Sequence, residues 1–181
     1  MQRALLVLAI VLVLPLLVNA EATSDLSKED LRYIEFFNKN GVMEKSGINF
    51  DDIPPNKHKM LLEMLKMETG VDDLDFIESE DDRFASPEKT WDLYKASFLS
   101  GDMDLCNKCL MPTFRKKHDS FVKVIGFEEM KHEIAAMKPI QKIIEEGSRA
   151  KYRIRREING NEITFYIDFK NVFGKWRIMQ Y

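Results

Sequence analysis

Residues 150–169, AKYRIRREINGNEITFYIDF, decide the fold of this 181-residue chain because they predict a β-hairpin. Apolar and charged side chains alternate before Asn159-Gly160, the dipeptide most typical of a two-residue hairpin turn. Such a turn makes one face of the sheet apolar and the other polar, as a half-buried antiparallel sheet requires. The cross-strand pairs that it predicts include Ile158–Asn161, Tyr152–Ile167, Ile154–Phe165, Arg156–Ile163 and Lys151–Asp168.

The segments around this hairpin complete an α+β pattern. Further strands are predicted over residues 140–146 and 175–180, while Ser86 and Pro87 begin a helix that Gly101 ends. More helix is predicted as far as residue 137, including one from Pro112 whose apolar face carries Phe114, His118, Phe121, Val122 and Ile125. Helices followed by antiparallel strands predict an α+β domain over residues 86–181, with helices packed on one face of a curved antiparallel sheet.

Residues 21–70 predict a helical appendage to this domain. Ser27 is a suitable N-cap for a first helix, with a stripe of Leu31, Ile34 and Phe37, and Gly41 ends it. A second helix over 56–69 places Met60, Leu61, Met64 and Leu65 on one face. That face either packs on its own domain or, because methionine is adaptable, forms a binding surface.

Residues 71–85 predict an acidic linker between the two parts. Seven acidic residues and no basic one lie between positions 71 and 82. Like charges at this density repel one another and extend a chain. The calcium-loop pattern needs a glycine at its sixth position, and this segment contains none.

Residues 1–20 predict a secretory signal peptide. Arg3 precedes an apolar stretch over residues 4–18, and Val18-Asn19-Ala20 has small residues at the two positions that a cleavage site requires. The alternative, a membrane anchor, needs about 20 apolar residues. We therefore expect cleavage after Ala20, export to the periplasm or secretion, and no stable membrane anchor. The formal net charge of −3 argues against a nucleic-acid partner.

Three short motifs carry a family resemblance: Ser86-Pro87 followed by Trp91, Ser100-Gly101-Asp102, and Phe173-Gly174-Lys175-Trp176-Arg177-Ile178. Over residues 86–181 the chain resembles the nuclear transport factor 2-like superfamily (SnoaL-like, cystatin-like), and most of all its exported bacterial branch of unassigned function. The resemblance implies a cone-shaped sheet around helices with an apolar pocket. Family members include isomerases, dehydratases, ligand binders and non-catalytic assembly domains, so the fold alone does not decide function.

Cys106 and Cys109 form a CxxC motif, and three interpretations of it stay open. The cysteines could be two small buried apolar side chains, a structural disulfide in an oxidising compartment, or a redox pair. Redox motifs of this kind follow a strand in a βαβ pattern, whereas this one follows a helix. A metal site would need two more ligands nearby, and we expect neither a metal nor a cofactor.

Four residues are candidates for lining a pocket: Arg156, Tyr152, His118 and Tyr94. Arg156 lies on the apolar face of the hairpin, where a cation must be paired or face a cavity. It could bind the carboxylate of an anionic ligand, pair with an internal acid, or be turned outward by a bulge. His118 lies on an apolar helix face, where it is either packed and hydrogen-bonded or available to a pocket.

A row of basic residues occupies the other face of the hairpin. Lys151, Arg153 and Arg155 form this row, and Lys175 and Arg177 join it if their strands are neighbours. Such a row is either a solvated face or a docking site for an acidic partner. The acidic residues 72–82 of the same or another chain would be one such partner.

The sequence predicts an exported, non-catalytic binding or assembly module with a small pocket. Its partner would be a small apolar or anionic ligand, another protein, or a second copy in a homodimer. One alternative is a small lyase or isomerase that uses His118 as a base, with Arg156 or Tyr152 steering the substrate. A second alternative is a thiol-disulfide protein that uses Cys106 and Cys109. A histidine touching a carboxylate in a pocket would favour an enzyme, and a closed, fully apolar interior would favour an assembly role.

Overall fold

The structure, a computed structural model, describes residues 26–158 and 160–181, with only the backbone of Ile158. Eight α-helices precede a four-stranded antiparallel sheet in the described chain, which confirms the predicted α+β class. The predicted cone shape stays a prediction, and the predicted signal peptide lies outside the described residues. The chain divides into two compact units, one ending at Lys66 and the other running from Met67 to Tyr181.

The first unit begins with the predicted N-cap. Ser27 Oγ accepts a hydrogen bond from the Asp30 amide at 3.1 Å, and an Asp30 carboxylate oxygen accepts one from the Ser27 amide at 2.9 Å. This capping box begins α1, and a glycine with φ of 65° separates α1 from α2. The helices are α1 (Lys28–Lys39), α2 (Val42–Ser46) and α3 (His58–Thr69), with 3₁₀ turns at Phe50–Asp52 and Pro55–Lys57.

The buried faces of α1 and α3 are rotated from the predicted ones. In α1 the side chains of Tyr33, Phe36 and Phe37 are buried, whereas Leu31 is exposed. In α3 the leucines at positions 61, 62 and 65 are buried, whereas Met60 and Met64 are exposed. The predicted stripes were therefore wrong in part, because each helix has apolar residues on more than one face and periodicity alone does not choose among them.

The second unit begins with the acidic segment, and the prediction that residues 71–85 form an extended linker is wrong. The segment contains α4 (Leu74–Glu78), capped by Asp73, and a 3₁₀ turn at Asp82–Phe84. Apolar residues interspersed among the acids anchor it, since their burial opposes the extension that like charges favour. Those buried residues are Val71, Leu74, Phe76, Ile77 and Phe84.

Four helices follow: α5 (Pro87–Ser100), α6 (Met103–Cys109), α7 (Pro112–Ile125) and α8 (Phe127–Ala135). The predicted signals for α5 are confirmed, because Ser86 Oγ accepts from the Lys89 amide at 3.2 Å and Gly101 ends the helix with φ of 83°. In α7 the predicted apolar face is buried only over the first turns. Phe114 and His118 are buried, but Phe121 and Ile125 are exposed.

The sheet consists of β1 (Gln141–Glu146), β2 (Arg149–Ile158), β3 (Asn161–Val172) and β4 (Lys175–Gln180), in that order. The predicted hairpin register is confirmed from the Ile158–Asn161 pair to the Lys151–Asp168 pair. β1 carries an irregularity between Lys142 and Ile144. At the opposite edge, the Met111 amide donates to the Ile178 carbonyl of β4 at 2.8 Å.

Burial decreases from β4 towards β1. The α5 side chains Trp91, Tyr94 and Phe98 are buried, as are most of β4 and alternate apolar residues in the second half of β3. By contrast, every residue of β1 and the first six residues of β3 are exposed. The sheet therefore extends beyond the part that the helices cover. Within the described part of the chain, no helix is both long and apolar enough to cross a membrane.

Candidate functional site

Two buried polar side chains and one partly buried one form a hydrogen-bonded cluster in the second unit. Tyr94 from α5 hydrogen-bonds His118 from α7, with 3.0 Å between Oη and Nε2. The Tyr94 Oη also lies 2.5 Å from the Oη of Tyr181, which follows β4. Two of the predicted pocket residues, Tyr94 and His118, are thus brought together, and Tyr181 is a third member that sequence reasoning missed.

This cluster is electrically neutral near pH 7. Burial lowers the pKa of His118 below its ordinary value, and the opposing effect of Asp119 is smaller. Burial also raises the pKa values of Tyr94 and Tyr181, so both phenols keep their protons. Asp119 Oδ1 lies 3.8 Å from His118 Nδ1, and that nitrogen has no hydrogen-bond partner among the described residues.

Tyr152, the third predicted pocket residue, lies apart from this cluster. Its hydroxyl donates to Glu88 Oε1 of α5 at 2.6 Å. Burial acts to raise the pKa of Glu88, but hydrogen bonds, led by the one from Tyr152, outweigh it and hold the pKa below its usual value. Tyr94, His118 and Tyr152 are each 0% exposed, so no water-sized molecule touches them in this conformation.

Arg156, the fourth predicted pocket residue, lies opposite Ile163 as the register predicts. Its side chain reaches Glu133 of α8 and makes two contacts, Nη2 with Oε1 at 2.6 Å and Nη1 with Oε2. A bidentate arginine–carboxylate pair satisfies the charge within the chain. Of the alternatives that the sequence left open, the structure shows the internal acid.

Cys106 and Cys109 are free thiols in α6, and both are fully buried. Burial raises the pKa of Cys106 to about 12 and also raises that of Cys109. The Cys109 Sγ donates to the Leu105 carbonyl at 3.4 Å. Because the thiolate is the reactive form, this environment fits the packing interpretation better than the redox one.

Asp72 binds two arginines that sequence reasoning did not assign to it. Its Oδ1 lies 2.6 Å from Arg177 Nη1 of β4, and its Oδ2 contacts Arg115 Nη1 of α7. Burial acts to raise the pKa of Asp72, but Arg177 and Arg115 together hold it below the usual value. Arg177 is 0% exposed, and its guanidinium lies 4.6 Å from the centre of the Phe76 ring.

The rest of the acidic segment is also held by cations of the second unit. Lys175 Nζ donates to the Asp81 carbonyl at 2.6 Å, and Lys89 Nζ lies 3.0 Å from Asp82 Oδ2. Of the five basic residues considered for docking an acidic partner, Lys175 and Arg177 therefore contact residues 72–82 of the same chain. The other three basic residues instead have partners within the sheet: Lys151 with Asp168, Arg153 with Gln141, and Arg155 with Glu162.

An open depression of about 450 Å³ lies beside this segment. Its charged lining residues are already paired, Arg83 with Asp81 at 2.7 Å and Lys108 with Asp73 at 3.9 Å. A charged ligand would therefore have to displace an internal partner before it could bind here.

One group of side chains on α8 has the composition of a metal site. Glu129, His132 and Glu133 place one potential ligand atom each within 4.8 Å of one another. However, the Glu133 carboxylate is the one that Arg156 binds at both oxygens. The guanidinium already neutralises that carboxylate and would repel a metal ion, so these residues do not form a favourable metal centre.

The uncovered end of the sheet is the feature that sequence reasoning missed most clearly. Alternation predicted an apolar face buried along the whole hairpin, but Ile163 and Phe165 on that face are each 39% exposed, and other large apolar residues at this end of the sheet are 47% to 56% exposed. We call five of them the sheet-end surface: Ile143 and Ile144 of β1, and Ile163, Phe165 and Tyr166 of β3. Their pairing partners place Ile144 and Tyr166 on one face, and Ile163 and Phe165 on the other.

Comparison of this chain with known proteins found no matching family model, no curated relative and no similar solved structure. The resemblance to the nuclear transport factor 2-like superfamily therefore stays a prediction from sequence motifs. The structure defines the fold as α+β and does not assign it to a family.

Proposed function

We propose that this protein is a non-catalytic assembly module that binds a protein partner through the sheet-end surface. The observation that carries this proposal is the exposure of large apolar side chains on both faces of the sheet, beyond the helices. Several large apolar side chains exposed at one end of a folded protein are typical of an interaction site. Burying such half-exposed side chains in an interface would contribute about 1 kcal/mol each.

The interior of the second unit supports assembly over catalysis. His118 is the only histidine that the sequence assigned to a catalytic role, and it is solvent-inaccessible and neutral. A general base must reach the proton that it removes. Among the described residues, no carboxylate lies within hydrogen-bonding distance of His118 to orient it, since Asp119 is 3.8 Å away. The interior is closed, although the Tyr94–His118–Tyr181 cluster makes it partly polar, so only the first half of the predicted condition for an assembly role is met.

The thiol-disulfide alternative has less support for a related reason. Both cysteines are buried, and burial disfavours the thiolate that would attack a disulfide. Export of the protein remains part of the proposal, on the basis of residues 1–20 of the sequence.

A photo-cross-linking amino acid at Tyr166 tests the proposal. Tyr166 is 56% exposed, and an aromatic cross-linker at this position preserves its size. We expect illumination of the producing cells to give a discrete adduct. The same cross-linker at Asp104, an exposed residue of α6, should give none. Adding Ile144→Ser should remove the adduct, because Ile144 lies on the same face of the sheet as Tyr166.

Equal adducts at positions 166 and 104 would show random collision and would contradict the proposal. Absence of any adduct at Tyr166, with the protein folded and present at its normal level, would contradict it as well.

A further inference from the structure

We propose that a second copy of this chain binds the part of the sheet-end surface that Ile143 and Ile144 form, and that the two copies pair through antiparallel β1 strands across a two-fold axis. This inference rests on the proposed function and specifies its partner. Pairing in this way would join two four-stranded sheets into one continuous sheet. The edge, the irregularity and the charge order of β1 each support it.

The two edges of the sheet differ. At the β4 edge, Leu110 forms a bridge with Ile178, and the Met111 amide uses the Ile178 carbonyl. At the β1 edge all six residues are exposed, including Ile143 and Ile144. An edge strand presents backbone donors and acceptors that another strand can use. β1 is therefore the edge available for strand addition.

The irregularity in β1 limits which kind of strand can pair with the free edge of β1. Lys142 pairs with Tyr152 and Glu145 pairs with Ala150, so one extra residue lies between them on β1. Residues three apart in a regular strand lie on opposite faces. Here the extra residue places Lys142 and Glu145 on the same face, and their side chains form an ion pair at 2.7 Å. A regular strand matches such an edge poorly, because a bulge disrupts the ladder. A second copy of β1 carries the same extra residue.

The charge order of β1 is self-complementary about its centre. A two-fold axis between Ile143 and Ile144 places Lys142 of each copy opposite Glu145 of the other. Because these two residues share a face, the opposite charges meet on one side of the joined sheet. Gln141 then lies opposite Glu146, and the two isoleucines of each copy meet at the centre. Parallel pairing in register would instead place Lys142 beside Lys142, which is unfavourable.

Sedimentation of the mature protein over a range of concentrations measures the dimer directly. We expect the wild type to dimerise reversibly and Lys142→Glu to raise the dissociation constant by about tenfold or more, because it places carboxylates opposite each other. Glu145→Lys should raise the dissociation constant similarly, because it places lysines opposite each other. The matched control is Lys116→Glu, an equal charge change at an exposed position on α7, and it should leave the dimer intact.

Mixing the Lys142→Glu variant with the Glu145→Lys variant provides the decisive measurement. Each alone should be mainly monomeric, whereas the mixture should form a heterodimer, because every cross-strand charge pair then becomes opposite. Loss of the Lys142–Glu145 ion pair within each variant cannot produce this rescue. The double variant in one chain should likewise regain self-association.

A wild type that stays monomeric up to its solubility limit would overturn the inference, as would a dimer that Lys142→Glu leaves unchanged or a mixture without heterodimer. A monomer that still gives an adduct with another protein at Tyr166 would remove only the second copy as the partner. Absence of both self-association and adduct would remove the proposed function too.

Discussion

Asp72 and Arg177 are separated by 105 residues in the sequence and form an ion pair at 2.6 Å in the core of the second unit. Arg177 Nη1 also donates to the Gly70 carbonyl at 2.8 Å, while its Nε and Nη2 have no hydrogen-bond partner in the part of the chain that the structure describes. The pair therefore anchors the acidic segment to the last strand, and Arg177 depends on Asp72 for charge compensation.

We expect Asp72→Asn to destabilise the protein strongly, because it leaves a fully buried guanidinium without its anion. Removal of one partner from a buried ion pair typically costs about 3–5 kcal/mol. The measurement is the free energy of unfolding in urea at pH 7. Glu80→Gln, which removes an exposed carboxylate from the same segment, is the control and should change that free energy little. Equal effects of the two substitutions would show that the pair does not anchor the segment.

The same pair should make stability depend on acid pH. The pKa of Asp72 is lower in the folded than in the unfolded protein, where it is about 3.9. The stabilisation is therefore complete above about pH 4 and is lost as the pH falls through the folded pKa. The difference in unfolding free energy between wild type and Asp72→Asn should be constant from pH 7 to 5 and shrink below pH 4. A difference that persists unchanged at pH 2 would contradict this assignment.

His118 should contribute a separate pH dependence near neutrality. Its folded pKa lies below the unfolded value of about 6.5, so the unfolded protein takes up the proton first as the pH falls. This contribution to stability is present above about pH 6.5 and declines below it, by at most about 1.4 kcal/mol per pH unit. We expect His118→Phe to lose less stability between pH 7 and 5.5 than the wild type. The control is Thr113→Ala, at an exposed position of α7 that carries no titratable group, and it should follow the wild-type profile.

The two cysteines should behave as packed thiols. We expect neither to react with a thiol reagent in the folded protein and both to react after unfolding, since both are 0% exposed. Combined Cys106→Ala and Cys109→Ala should preserve the fold at a cost of a few kcal/mol at most, in keeping with small core truncations. A mass two units lower in the purified wild type would reveal a disulfide and contradict the free thiols.

Arg156 and Glu133 should be coupled more strongly than a surface pair. A double-mutant cycle with Arg156→Met and Glu133→Gln should give about 1–2 kcal/mol, because the pair is bidentate and partly buried. The cycle with Arg155→Met and Glu162→Gln is the matched comparison. That pair is more exposed, with side chains 38% and 49% accessible, and should give at most about 1 kcal/mol. Equal coupling energies would show that the Arg156 contact is not special.

Local signals predicted the parts of the fold that depend on neighbouring residues. Asn159-Gly160 and the alternation around it gave the register of β2 and β3, and with it the face on which Arg156 lies. Whether Arg156 binds a ligand or Glu133 depends on where α8 packs. The alternation of residues in a strand carries no information about the position of a helix. The register predicted the face on which Arg156 lies, but it could not predict a pocket there.

The acidic segment shows the same limit. Positions 71–82 contain seven acidic residues, which predict mutual repulsion when this segment is considered alone. Asp72 is stabilised by Arg115 and Arg177, which are 43 and 105 residues away, so the compensation is invisible locally. The exposed end of the sheet was missed for a similar reason. Alternation identifies the apolar face of a strand, but it does not indicate how far along the strand the helices cover that face.

Because Lys175 and Arg177 lie in β4, they are synthesised well after the acidic segment that they bind. The ribosome makes Asp72 about 100 residues before the arginine that neutralises it. Until β4 emerges, the acidic segment has Arg115 and Lys89 as partners but lacks Lys175 and Arg177, and its uncompensated charges repel one another. Closure of the second unit is therefore complete only when β4 is present, and contacts between residues so far apart in sequence slow folding.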